Sequence, residues 1–157
     1  MEAQEARRHE GRRELATPMH GSGNVPALRF THTGRVNNHR KLRIWRQAGD
    51  LVVACYELTS KLPPQERYVA DPQLRRAAWS VQNNIAEGNA RLGPAERRRF
   101  FDCSLASLAE IDSMIGTLGR LYSLDTELVS RINRLRFDIT AGIFAVLKGP
   151  GRKRRPV

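Results

Sequence analysis

The chain has 157 residues, 40% of them hydrophobic, which is enough for the core of one domain and too few for two ordinary ones. Its formal charge of +11 is unevenly spread: residues 1–42 carry 8 basic and 4 acidic side chains, residues 43–147 carry 14 and 12, and residues 148–157 carry 5 and none. No run of about 18 apolar residues offers a membrane span, the arginine-bearing N-terminus has no apolar signal segment, and Cys55 and Cys103 lack a Cys-x-x-Cys partner, so they read as buried free thiols of a cytoplasmic protein.

Residues 1–40 are polar, and Pro18, Gly21, Gly23, Pro26 and Gly34 break any period. They read as a disordered extension or as the result of a start codon placed too early, with Met19 downstream. From Leu42 to Leu62 the apolar residues Ile44, Ala48, Leu51, Val52, Cys55 and Leu58 follow one helical face, and Pro63-Pro64 ends that helix. Asp71 is the expected N-cap and Pro72 the first residue of a second helix running to Gly88, whose tolerance of positive φ suits a C-cap. This helix carries an apolar seam of Leu74, Ala78, Val81 and Ile85 beside a polar one of Arg76, Ser80, Asn84, Glu87 and Arg91.

Gly93-Pro94 opens a third helix that continues to about Tyr122. Phe101, Leu105, Leu108 and Ile115 form one apolar stripe on it, and Phe100, Ile111, Met114, Leu118 and Leu121 a second. So broad an arc predicts either a central position or burial against another subunit. Asp125 caps a fourth helix from Thr126 to about Leu147, with Leu128, Ile132, Leu135, Ile139 and Val146 inward and Arg131, Arg134 and Arg136 partly outward. Four helices with short connections predict an all-α, antiparallel up-and-down bundle over residues 41–147, followed by a basic tail over 148–157.

The bundle offers little for catalysis. His9, His20, His32 and His39 all precede it, so the inward Glu-x-x-His pairs of a di-iron site are missing, as is a histidine base for Ser80, Ser104 or Ser107. Glu87 and Glu110 form a conceivable acid–base pair, but buried partners for Arg76 or Arg99 fit them equally well. The expectation is no enzyme, no metal and no cofactor. Arg97, Arg98 and Arg99 fan around the start of the third helix, and with Arg75, Arg134, Arg136 and the tail residues Arg152, Lys153, Arg154 and Arg155 they are candidate phosphate contacts. Base-specific readout has no motif here.

Leu42-Arg-Ile-Trp45, Asp50-Leu-Val-Val53, Tyr56-Glu-Leu-Thr59, Leu74-Arg-Arg-Ala-Ala78, Asn84-Ile-Ala-Glu-Gly88 and Ser107-Leu-Ala-Glu110 resemble the bacterial four-helix bundle proteins encoded in 23S rRNA intervening sequences. The resemblance spans about residues 41–124, and it departs at Gln82, usually proline, and at Asn89-Ala90, usually an aromatic-glycine pair. It implies a homopentameric ring with a surmised nucleic-acid-binding role. A related branch, the accessory variability determinant proteins of diversity-generating retroelements, pairs with a reverse transcriptase. Five chains would carry a formal +55, a strong attractor for polyanions. Asn84, Glu87, Ser107 and Glu110, with Arg76 and Ser80, are expected to form hydrogen bonds between helices that fix their register. The leading expectation is a non-enzymatic, oligomeric protein that associates with RNA or DNA; the rival is a protein-interaction scaffold such as a reverse-transcriptase subunit.

Overall fold

Helical apolar spacing, interrupted at proline, glycine and aspartate, divides residues 38–149, the part described by the computed structural model, into four α-helices with no strand among them. These are α1 (Arg43–Ser60), α2 (Ala70–Ala90), α3 (Pro94–Leu121) and α4 (Thr126–Lys148). Short 3-10 turns over Asn38–Lys41 and Pro64–Tyr68 precede α1 and α2. The expectations for residues 1–37, and for Arg152, Lys153, Arg154 and Arg155, lie outside the described residues.

Two of the helix ends follow the sequence rules. Pro94 stands at the first position of α3 after Gly93, and the Asp125 carboxylate accepts the backbone N–H groups of Glu127 and Leu128 at 3.1 Å each. Both ends of α2 differ from expectation. The preceding 3-10 turn delivers the chain already coiled, so α2 starts at Ala70. Asp71 therefore lies inside the first turn, where its carboxylate pairs with Arg75 rather than capping. At the other end α2 runs unbroken through Gln82 and past Gly88 to Ala90. Gly88 is helical and buried: a Cβ there would stand 3.1 Å from Phe100 Cβ and 3.3 Å from the Arg97 carbonyl. Close approach of α2 to α3, not a positive φ, is what requires glycine.

The helices pack in chain order around the bundle. α2 lies most extensively on α3, α1 lies between α2 and α4, and α3 meets α4 along the thinnest seam. Antiparallel register along α1 and α4 is visible in four successive contacts: Lys61 with Asp125, Glu57 with Arg131, Gln47 with Asp138, and Ile44 against Gly142. Leu51, Leu58, Leu74, Val81, Ile85, Phe101, Ile111, Ile132, Ile139 and Ile143 fill the centre. Ile143, absent from the predicted inward set, is fully buried, whereas Leu128, Leu135 and Val146 are half-buried.

Both apolar stripes of α3 are largely spent inside this one chain. Phe101, Leu108, Ile111, Ile115 and Leu118 are buried, Phe100, Leu105 and Met114 are half-buried, and Leu121 alone of the two stripes is exposed. The other large apolar side chains left outside are Val53 and Tyr56 on α1, Trp79 on α2, Phe137 and Phe144 on α4, and Tyr68, Val69 and Leu92 in the connections before and after α2. The thiols also divide. Cys55 is buried, as predicted, and burial pushes its pKa up to about 12 against the opposing charge of Arg136; Cys103, expected to be buried, is exposed because it lies on the outer side of α3.

Candidate nucleic-acid interface

An up-and-down topology collects at one end the starts of α1 and α3 and the finishes of α2 and α4. Contacts of Ile44 with Gly142, of Gly88 with Phe100, and of the Asn38–Lys41 turn with α2 fix this common level. Arg40, Lys41, Arg43 and Arg46 enter it from the α1 side, Arg91 from the end of α2, Arg97, Arg98 and Arg99 from the start of α3, and Lys148 from the end of α4. The half of the bundle with this end (residues 38–51, 81–106 and 137–149) holds nine basic and five acidic side chains. The other half (52–80 and 107–136) holds eight and seven. Sequence-wide balance therefore conceals a polarity along the bundle axis.

Few of these cations are neutralised by neighbours. Arg98 reaches Asp102 only at 4.0 Å, and Arg91 reaches Glu87 at 3.7 Å while its guanidinium lies 4.6 Å over the Phe100 ring. Exposed pairs so long are worth little and are readily exchanged for a phosphate. Arg43 and Arg99 are exposed and make no ion pair among the described residues.

The predicted phosphate contacts separate into two groups. Arg98 and Arg99 project into solvent at the basic end, with Arg97 half-buried beside them, and Arg134 is exposed on α4 in the other half. Arg75 and Arg136 are committed internally, contrary to expectation. Arg75 Nε donates to Thr59 Oγ1 at 2.9 Å, pairs with Asp71, and stacks 4.3 Å above the Tyr56 ring, which ties α2 to α1. Arg136 Nε donates to the Leu108 carbonyl at 3.1 Å and its Nη1 to Asn133 Oδ1 at 2.7 Å, and the guanidinium forms an ion pair with Asp112 at 2.6 Å, clamping α4 on α3. Sequence reasoning missed Arg40, Lys41, Arg43, Arg46 and Arg91; summing charge over the helix ends that an up-and-down bundle brings together would have found them.

The proposed polar seam also divides. Ser80, Asn84 and Ser107 do meet: Asn84 Nδ2 lies 2.8 Å from the Ser80 carbonyl and 3.1 Å from its hydroxyl, and Ser107 Oγ donates to Ser80 Oγ at 2.8 Å across α2 and α3. Ser104, fully buried, sits 3.3 Å from the Val81 carbonyl. Arg76, Glu87 and Glu110 are exposed, so they neither join that network nor hold buried charge partners. A step of four residues advances about 40° around the helix, so Ser80 and Asn84 turn toward α3, whereas Arg76 and Glu87, within about 20° of each other, stay on the outer side.

At the opposite end Lys61 and Tyr122 have carboxylate partners, while Arg67 and Arg120 make no ion pair among the described residues. Lys61 Nζ donates to Asp125 Oδ2 at 2.6 Å, and Tyr122 Oη donates to Glu66 Oε1 at 2.6 Å. Hydrogen bonding to Lys61 and to the Leu128 and Glu127 N–H groups holds the Asp125 carboxyl below its ordinary pKa, and the same bond raises that of Lys61.

Residues 40–143 match the model of the 23S rRNA-intervening sequence protein family. The chain belongs to that family. The match takes in all of α1, α2 and α3 and most of α4, and thus nearly every side chain of the basic end. No curated protein matches the chain. Among the described residues no helix is long and apolar enough to cross a membrane.

Proposed function

We propose that this member of the family is a non-enzymatic, self-associating cytoplasmic protein that binds RNA or DNA through the basic end of its bundle. The observation that carries the reading is the gathering of exposed, weakly compensated arginines where α1 and α3 begin. The family's name, which refers to 23S rRNA, points in the same direction. A non-catalytic role is consistent with Ser80, Ser104 and Ser107, whose hydroxyls are used to hold α2 against α3. Contact at such an end neutralises phosphates and reads no bases, so affinity falls with salt by a slope of about −0.7 per phosphate on single strands. Fluorescence anisotropy with labelled RNA and single-stranded DNA over a salt series tests this. Binding no tighter than that of a lysine peptide of matched charge overturns it.

Self-association, with the homopentameric ring as the form that the resemblance implies, is supported by the exposed Phe137 and Phe144 of α4, seven residues apart on one face. Native mass spectrometry of the full chain, and of Phe137→Glu, measures the subunit number. A monomer in both samples rules the ring out. The same two rings favour the second reading, an accessory subunit of a reverse transcriptase in a diversity-generating retroelement. Under that reading the protein captures the polymerase tightly even where polyanion binding has been suppressed by salt.

A further inference from the structure

The exposed rows of α1 and α2 converge away from the basic end. On α1 the outward positions are Arg43, Arg46, Asp50, Val53, Tyr56 and Ser60, at spacings of 3 and 4 that keep them on one face. On α2 they include Arg76, Trp79, Asn83 and Glu87. The two rows touch where Trp79 Nε1 donates to Tyr56 Oη at 3.2 Å. Trp79 is 45% exposed and Tyr56 39%, large values for rings that already have partners.

These rings are held in place. The Arg75 guanidinium lies over the Tyr56 ring, 4.3 Å from its centroid, and is itself held by Asp71 and Thr59, so the cation, the phenol and the indole form a supported aromatic surface. Arg76, exposed and without an ion pair among the described residues, flanks Trp79 on the same row. Arg43 and Arg46 lie on the α1 row below Tyr56, about 15–20 Å away at 1.5 Å per residue. The acids on the two rows are Asp50 and Glu87, the latter turned toward Arg91. Fixed π-faces between cations are the combination that binds unpaired bases, because every base has a face to stack while the phosphates need positive charge on either side.

We propose that the Tyr56–Trp79 face is a stacking platform for unpaired bases of single-stranded nucleic acid whose backbone is held at the basic end. This rests on the nucleic-acid reading above and narrows its ligand to strands with accessible bases. Trp45→Phe leaves Trp79 as the single indole, and its emission is followed while the full-length protein is titrated with oligouridylate, oligothymidylate or inorganic polyphosphate. Expected are quenching by both oligonucleotides, none by polyphosphate, and a loss of oligonucleotide affinity in Trp79→Ala of about 5- to 150-fold, the range for one stacked base. Polyphosphate affinity is unchanged in that variant, and Trp79→Phe restores most of the oligonucleotide affinity. Equal losses for oligonucleotide and polyphosphate, or a Trp79 already shielded from acrylamide in the free protein, overturn the platform while leaving the basic end intact. No binding of any of the three probes overturns both.

Discussion

Arg136 shows how a cation at a surface-like position can be consumed by the fold. Its guanidinium donates to a helix carbonyl and an amide oxygen and pairs with a carboxylate, so its loss leaves α3 and α4 joined along their thinnest seam without their main polar tie. Arg136→Ala is expected to lower unfolding free energy by about 1.5–3 kcal/mol in urea titrations, with no change in the salt slope of polyanion binding. A changed slope with unchanged stability would return Arg136 to the ligand-binding set. The Lys61–Asp125 pair has a pH signature. Because the folded pKa of Asp125 is depressed, its contribution is fully present above the unfolded value of 3.8 and is lost as pH falls through the folded one. Lys61, raised above 10.5, contributes below that value and loses its share as pH rises through its folded pKa. The gap in melting temperature between the protein and Asp125→Ala should therefore close on acidification from about pH 7 to about pH 2. A constant gap would mean that the charged carboxylate is not what caps α4.

Among the elements, the α1–α4 contact is set by Gly142. A Cβ built there falls well inside contact distance of Ile44 Cγ2, and that atom belongs to a β-branched side chain with little freedom to turn away. Gly142→Ala should cost about 1–3 kcal/mol by overpacking. In an Ile44→Leu background, where the branch no longer sits at Cβ, the cost should fall below about 1 kcal/mol, a coupling that a double-mutant cycle in denaturant reads directly. Equal costs in both backgrounds would show that the helices separate without hindrance. Burial also decides what a charge on α3 would test. Leu108 lies in the core of its own chain, so Leu108→Asp unfolds the protomer and says nothing about assembly, for which Phe137→Glu on exposed α4 is the informative change.

The molecule as a whole is polarised along the bundle axis. Residue 38 and residue 149 both stand at the basic end, and residues 150–157 add four more basic side chains and no acidic one. Deleting residues 150–157 should reduce the magnitude of the salt slope for RNA binding while leaving the helical circular dichroism and thermal midpoint unchanged, because no described helix is shortened. An unchanged slope would place the contact on the bundle alone.

The four helices, their order and most of the central core, though not Ile143, were legible in the sequence, because apolar spacing and the residues that break or cap helices act locally, within one or two turns. The signature around Asn84-Ile-Ala-Glu-Gly88 likewise led to the family that the match over residues 40–143 establishes. What local spacing did not contain was pairing between helices. Only packing decided that Gly88 admits Phe100 rather than ending α2, that Arg75 and Arg136 bind inward, and that Cys103 stays outside. Only topology decided that basic residues as far apart in the chain as Arg40, Arg99 and Lys148 share one end, since charge adds in space and not along the chain.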